Sequence, residues 1–212
     1  MTPLIITAHI AEPVVYSGDG MHFDGILSYG AFMALSAEQK AALPSMTDTH
    51  CEDFDLPLGR WEEVGCWGWK ASAVHAEWMM SSTHYVRKRV SHEPMVRYSN
   101  STAMNKGGGE FKSKNTPYQA RSASALVWYA VGDIDAVRDL LTHVRGVAKL
   151  VGHGMGRVLR WEVLEHTDGE AWKRRALPGP GGYPATIRAP YHHRSRMCPS
   201  VIVPDYEEMR PC

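Results

Sequence analysis

Residues 146–163 read GVAKLVGHGMGRVLRWEV, which puts Gly152, Gly154 and Gly156 at alternate positions behind Gly146. Glycine reaches positive φ without strain and carries no Cβ, so closely spaced glycines open their backbone N–H groups to an incoming anion. Lys149, His153 and Arg157 ring the same stretch with donors, and Arg160 follows three residues later. This combination suits a phosphate. A dinucleotide-binding loop runs strand, glycines, helix. Here a helical pattern precedes the glycines and a strand pattern follows, which excludes that chemistry. A plain helix-to-strand turn stopped by Gly146 needs one glycine, and this segment has four.

Other chemistries lack their residue patterns. His192-His193, His50-Cys51 and Cys66 invite a metal, yet no Cys-x-x-Cys or His-x-x-x-His pair supplies ligands at site spacing. Neither a metal nor a cofactor is expected. There is no nucleophile elbow and no Walker loop. Metal-independent RNA cleavage needs a base for the ribose hydroxyl and an acid for the leaving oxygen; His9, His22, His153, Tyr16 and Lys149 are of suitable type. No motif ties any two of them, and eleven histidines make a chance candidate easy to find. No catalytic residue is assigned, and RNA cleavage stands as the alternative to RNA binding.

The elements that must position the loop follow from periodicity. Residues 3–11 alternate Leu4, Ile6, Ala8 and Ile10 against Ile5, Thr7, His9 and Ala11, largely apolar on both faces, which predicts a central strand. His9 there reads as a satisfied buried histidine. After a turn at 17–20, Phe23, Ile26, Leu27, Gly30 and Met33 fall on one face of a helix ending near Ser36. Residues 37–63 hold Pro44, Pro57 and many acids without sustained periodicity, predicting a surface insertion that carries charge rather than core. A second strand is expected over 66–80, where Trp67 and Trp69 read as a packed aromatic lid, with stacking platforms as the alternative. Residues 123–131, ASALVWYAV, predict a third core strand. Asp133 then caps a helix with Ile134, Val137, Leu140, Leu141 and Val144 on its apolar face. Val158–Glu165 is expected as the last core strand. Between the second and third strands, 81–122 predicts a polar, cationic hairpin tipped by Gly107-Gly108-Gly109. Residues 166–212 read as a short hairpin and an irregular tail.

With the projection set aside the order is β-α-β-β-α-β, an α+β ferredoxin-like (RRM-like) core. Its parts are 3–36, 64–80 and 123–165, within one domain spanning 1–212. The chain of 212 residues, 44% hydrophobic, is long enough for one sizeable core. No apolar run approaches the roughly 20 residues of a spanning helix, so no membrane is expected, and a cytoplasmic protein is. Four scattered cysteines suit a reducing compartment better than a disulfide framework. Formal net charge is zero, yet the charges are segregated. Glu38, Asp48, Glu52, Asp53, Asp55, Glu62 and Glu63 crowd one segment. Arg87, Lys88, Arg89, Arg97, Lys106, Lys112, Lys114 and Arg121 crowd another, opposed by Glu93 and Glu110. The layout offers a basic footprint for a polyanion and an acidic surface for a basic neighbour, or solvated faces of both signs.

A ferredoxin-like core, a hairpin projecting between its second and third strands and a glycine-rich loop before its last strand together resemble the RAMP superfamily of CRISPR proteins. His22-Phe23-Asp24-Gly25-Ile26-Leu27 and the stretch 151–158, VGHGMGRV, resemble the small subunit of type IV effectors, which is itself similar to the crRNA-handle-capping subunit of type I complexes. The resemblance covers about residues 3–165. It implies a non-catalytic RNA-binding subunit that holds the five-prime handle of a crRNA, caps the backbone filament and acts against foreign nucleic acid. Implied partners are the crRNA, backbone subunits and a large subunit, with target DNA in the vicinity. Gly152, Gly154 and Gly156 match the family loop and His22 the helix-start motif; the basic hairpin matches the thumb by position. The expected RNA-binding set is therefore Lys149, Gly152, His153, Gly154, Gly156, Arg157, Arg160, His22, Arg87, Lys88, Arg89, Lys106, Lys112, Lys114 and Arg121. The loop is shorter than the double-glycine-rich form of many relatives.

Overall fold

The computed structural model describes residues 1–11, 13–15, 20–47, 51–88 and 112–202. Along the chain lie β1 (Thr2–Ile10), β2 (Val14–Val15), α1 (Phe23–Ala34), α2 (Ala37–Ala42), β3 (Arg60–Glu63), β4 (Cys66–Trp69) and β5 (Met80–Lys88). There follow β6 (Lys114–Ser122), β7 (Ala125–Gly132), α3 (Ile134–Leu141), β8 (Val158–Glu165), β9 (Ala176–Thr186) and β10 (Met197–Ile202). The result is mixed α and β with antiparallel strand pairing and few helices.

The alternation in β1 does what it predicts. Leu4, Ile6 and Ala8 are fully buried, and β1 is central, antiparallel to β7 on one side and β8 on the other. The helices cover one face of this sheet. Phe23 and Leu27 of α1 and Val137 and Leu141 of α3 join Leu126, Trp128 and Val163 in one core cluster. Each fully buried side chain of this size contributes roughly 1.5–3 kcal/mol. Asp133 caps α3 as expected, accepting from the backbone N–H of Asp135 and Ala136 at 3.0 and 2.9 Å.

Four expectations need correction. The single strand over 66–80 is divided: β4 pairs with β3, residues 71 and 75 meet β7 through the isolated bridges Ala71↔Ala130 and His75↔Val127, and β5 starts at Met80. Pairing partners at three different places decide this, and strand propensity does not see partners. The acidic insertion is not devoid of core. Leu56, Leu58 and Trp61 are buried, and Ser36 and Gln39 form a reciprocal capping box that starts α2. Phe23, Leu27 and Gly30 of α1 face inward as expected, while Met33 is 39% exposed. Cys66 and Cys198 are joined in a disulfide across 132 positions, against the expectation of unpaired thiols; spacing along the chain carries no record of that proximity.

The hairpin β9–β10 and the turns before it lie against the core as the expected C-terminal module. Its attachment is charged. Arg175 is fully buried, reaching Asp24 of α1, the carbonyl oxygens of Ala71 and Ile187, and the Tyr191 hydroxyl. No described helix is long and apolar enough to cross a membrane.

Candidate nucleic-acid interface

The four glycines divide into two pairs with different work. A Cβ added at Gly146 would meet Val151 Cγ1 at 2.6 Å, and one at Gly156 would collide with the Val147 carbonyl oxygen. These two let the entry and exit of the loop pass each other, and Gly156 also donates to Pro13 O at 2.9 Å. A Cβ on Gly152 or Gly154 would meet nothing within 4 Å. Packing therefore asks for no glycine at either outward position. Gly154 has φ +86, which L side chains resist. Between them His153 closes a short 3-10 turn, Val151–His153. Lys149, Gly152, His153, Gly154 and Arg157 are all exposed. The loop thus presents Cβ-free backbone at Gly152 and Gly154 with cations at its sides, while the N–H groups of His153, Gly154, Met155 and Gly156 already donate to Leu150 O, Val151 O, Leu150 O and Pro13 O.

The loop is fastened to the basic hairpin. Lys149 N donates to Val15 O at 2.8 Å, and β2 pairs on its other edge with β6 through Val14↔Arg121 and Val15↔Ala120. Met155 and Leu150 of the loop pack with Val15, Ala120 and Tyr118. Strands β5 and β6 pair in unbroken register from Met80↔Ser122 to Lys88↔Lys114, so residues 30 or more positions from the glycines in sequence share a surface with them. Arg87, Lys88, Lys112 and Lys114 are exposed on this stem. Arg87 Nε lies 3.4 Å from Asn115 Oδ1, and Arg121 stacks over Trp78. Arg89, Lys106 and the triple glycine fall outside the described residues, as does Tyr16.

Two expected members stand apart from this surface. Arg160 pairs with His9 across β8 and β1, and its Nη2 lies 3.0 Å from His9 Nε2. Since the neighbouring Ala8 and Trp161 point to the helices, strand alternation turns Arg160 and His9 to the sheet face away from them. Glu162 completes a small charged cluster there, 3.4 Å from His9. His22 occupies the N-cap position of α1 but is 8% exposed and stacks on Tyr191 with ring centroids 4.4 Å apart. Burial, and then the Arg175 guanidinium, push its pKa well below the ordinary 6.5. It is a neutral packed ring.

Above that ring opens a cleft of about 770 Å³ between α1 and the chain entering the glycine loop, lined by Tyr29, Met33, His143, Arg145 and Val151, with His22 and Tyr191 in its wall. Its size lies in the range of small-molecule clefts. The sequence signals pointed to the glycines and not to this cleft. Its walls come from segments more than 100 positions apart, and Tyr29 and Met33 read as ordinary helix residues. The buried Asp24–Arg175–Tyr191 group was missed for the same reason, since an acidic residue in a helix's first turn has an ordinary dipole explanation. Of the residues that invited a metal, Cys66 is in the disulfide and His193 packs its ring nitrogens against Thr47 O and Ser195 Oγ at 2.6 and 2.7 Å. The tryptophans pack: Trp69 is buried, and Arg60 and Arg188 stack on Trp67 at 5.0 and 4.0 Å.

The family described as CRISPR type IV associated protein Csf3 matches residues 2–203. The chain belongs to this family. No match was found among curated proteins. The Csf3 match extends through the C-terminal hairpin, so the module anchored by Arg175 is part of what the family comprises and not an appendage to it. Membership makes the chain a component associated with type IV CRISPR systems, for which other subunits of such a complex are natural neighbours.

Proposed function

We propose that this chain is a non-catalytic RNA-binding subunit of a type IV CRISPR effector ribonucleoprotein, holding the five-prime handle of the crRNA and capping the filament of backbone subunits. The observation that carries this reading is the outward Gly152, which neither a packing contact nor a positive φ explains, set among exposed Lys149, His153 and Arg157 beside Gly154. A phosphate at the loop would leave a neighbouring base within reach of the adjoining cleft. The core is read as ferredoxin-like, with the segment bridged at Ala71 and His75 as a reduced second strand beside β7, and α1 and α3 on one face. The order 71–75, β7, β1, β8, all antiparallel, supports it.

The non-catalytic reading is supported by the separation of His9 and His22 from the loop that holds Lys149 and His153. His9 lies among Arg160 and Glu162 on one sheet face, and His22 lies under Tyr191 behind α1. Partners are the crRNA, backbone subunits and a large subunit, with target DNA nearby, in a cytoplasmic complex.

Gly154→Val tests the site. A β-branched residue is disfavoured at φ +86 and fills the space meant for a phosphate. Affinity for a repeat-derived RNA should fall at least about tenfold, ~1.4 kcal/mol, while the variant stays folded and loses roughly 1–3 kcal/mol of stability to backbone strain. Parental affinity in the folded variant would refute the loop assignment. The same RNA incubated with the parent protein in EDTA should remain whole. A single clean cut, abolished by His22→Ala or His153→Ala, would establish the endoribonuclease instead.

A further inference from the structure

One stripe of α1 borders the cleft rather than the core. His22 at the N-cap and Gly25, Ile26, Tyr29 and Met33 recur at three- and four-residue spacing, so they share one side of the helix, and all five line the cavity of about 770 Å³. Tyr29 is 49% exposed there, which leaves much of a large ring open to an occupant. The facing wall is residues 142–148. Backbone bonds hold it in place: Val158 N donates to Arg145 O at 3.0 Å and Val147 N to Gly156 O at 2.9 Å. Helix α1 is fixed in turn by the buried Asp24, Arg175 and Tyr191. The cleft is therefore formed before anything enters it, which spares an occupant the cost of ordering its walls.

Charge and position narrow what that occupant is. Among the described residues no carboxylate lines the cleft, whereas Arg145 and His143 do. Arg145 is exposed and has no carboxylate partner among those residues. An apolar occupant would leave its guanidinium without use. Val151 lines the cleft and also begins the short turn that carries Gly152, so the cavity is continuous with the glycine loop. An open ring on one wall and an unpaired cation on the other are the two contacts that single-stranded nucleic acid takes, a stacked base and a held phosphate.

We infer that this cleft is a nucleotide pocket, in which one residue of the RNA held at the glycine loop stacks its base on Tyr29 and places its phosphate against Arg145. This rests on the RNA-binding function proposed above and adds Tyr29 and Arg145, which lie outside the set expected from sequence.

The full chain and a repeat-derived single-stranded RNA provide the test, with the RNA also made in versions that lack one base at successive positions. Tyr29→Ala should weaken binding about fivefold or more. It should leave the slope of log affinity against log salt unchanged, because a base contact releases no counterion. Tyr29→Phe keeps the ring and should bind within about twofold of the parent. Arg145→Ala should lower the slope by about 0.7, one phosphate contact on a single strand. At one position of the RNA, removing the base should cost the parent as much as Tyr29→Ala does and cost that variant nothing more, the non-additivity of two partners in one contact. Phe32→Ala, on the same helix but lining a different cavity, should bind RNA like the parent. Parental affinity in Tyr29→Ala, additive losses at every position, or equal losses in Tyr29→Phe and Tyr29→Ala would each overturn the pocket. So would a Tyr29→Ala variant that binds RNA normally and no longer joins the other complex subunits, which would make the cleft a protein contact. Lost RNA binding in Gly154→Val with parental binding in Tyr29→Ala and Arg145→Ala removes the pocket alone. A parent without salt-dependent RNA binding removes the function as well.

Discussion

Asp24 is fully buried in the first turn of α1, where its Oδ1 accepts from the Tyr191 hydroxyl at 2.6 Å and lies 3.4 Å from Arg175 Nη1, and its Oδ2 accepts from Ala189 N at 3.3 Å. One carboxylate therefore ties the helix beside the cleft to the C-terminal module. Removing one member of such a group strands a buried charge, at about 3–5 kcal/mol. Asp24→Ala should lower the unfolding free energy by that amount in urea titrations. Tyr191→Phe, which removes a hydroxyl and leaves the ion pair, should cost about 1–3 kcal/mol. Equal losses in the two variants would show that the tyrosine, and not the charge pair, is the fastening. In the sequence Asp24 was visible only as part of the helix-start motif, because its partners stand about 150 or more positions away.

At the scale of elements, local pattern was reliable where one face of a segment packs against one neighbour. β1, α1, β7, α3 and β8 were legible from alternation, helical spacing and the Asp133 cap. The stretch 66–80 was not, because its apolar residues serve the β3–β4 hairpin, the edge of β7 and the start of β5 in turn. Helix α1 shows how closely the legible elements are fitted. A Cβ at Gly30 would stand 2.8 Å from Leu140 O and 3.2 Å from Val144 Cγ2, so glycine lets α1 approach the end of α3. Gly30→Ala gains about 1 kcal/mol of helix propensity against an overpacking penalty of roughly 1–3 kcal/mol. Net destabilisation in urea is expected; a stabilised variant would mean that the two helices sit further apart.

For the molecule as a whole, zero formal charge conceals an uneven surface. Asp53 pairs with Arg188 and Arg196, and Asp55 with Arg60, so part of the acidic segment is consumed internally, and Arg87, Lys88 and Lys114 are exposed along the hairpin stem. The fold also carries an acid sensitivity. His22 lies well below its ordinary pKa through burial and then Arg175, and His75 is lowered to about 4 by burial and then Arg174. Above about pH 6.5 both are neutral in the folded and unfolded chain. As pH falls below that value the unfolded chain takes up protons that the folded chain refuses, so stability is lost from about 6.5 down to about 4 for His75, and His22 adds a loss in the same direction. The urea midpoint should be lower at pH 5 than at pH 7.5, and the double variant His22→Gln/His75→Gln should show a smaller drop. A parental drop in the double variant would assign the acid sensitivity to carboxylates.

The order of the main strands and helices, the cap on α3, the hairpin and the glycine-rich loop were determined by sequence alone, because each rests on contacts or dihedral needs within a few residues or on a period repeated along one segment. Tertiary structure decided which glycines face outward and which merely let the chain pass, a matter of what stands opposite each missing Cβ. It also decided that Arg160 and His22, though near the loop or within a matching motif, lie away from the exposed glycines. Strand alternation sends one to the far sheet face, and packing under Tyr191 encloses the other. The adjacency of the glycine loop to the basic stem passes through two residues of β2. Pairing across such distances is fixed by which edges remain open once the core has closed, and no local pattern encodes that.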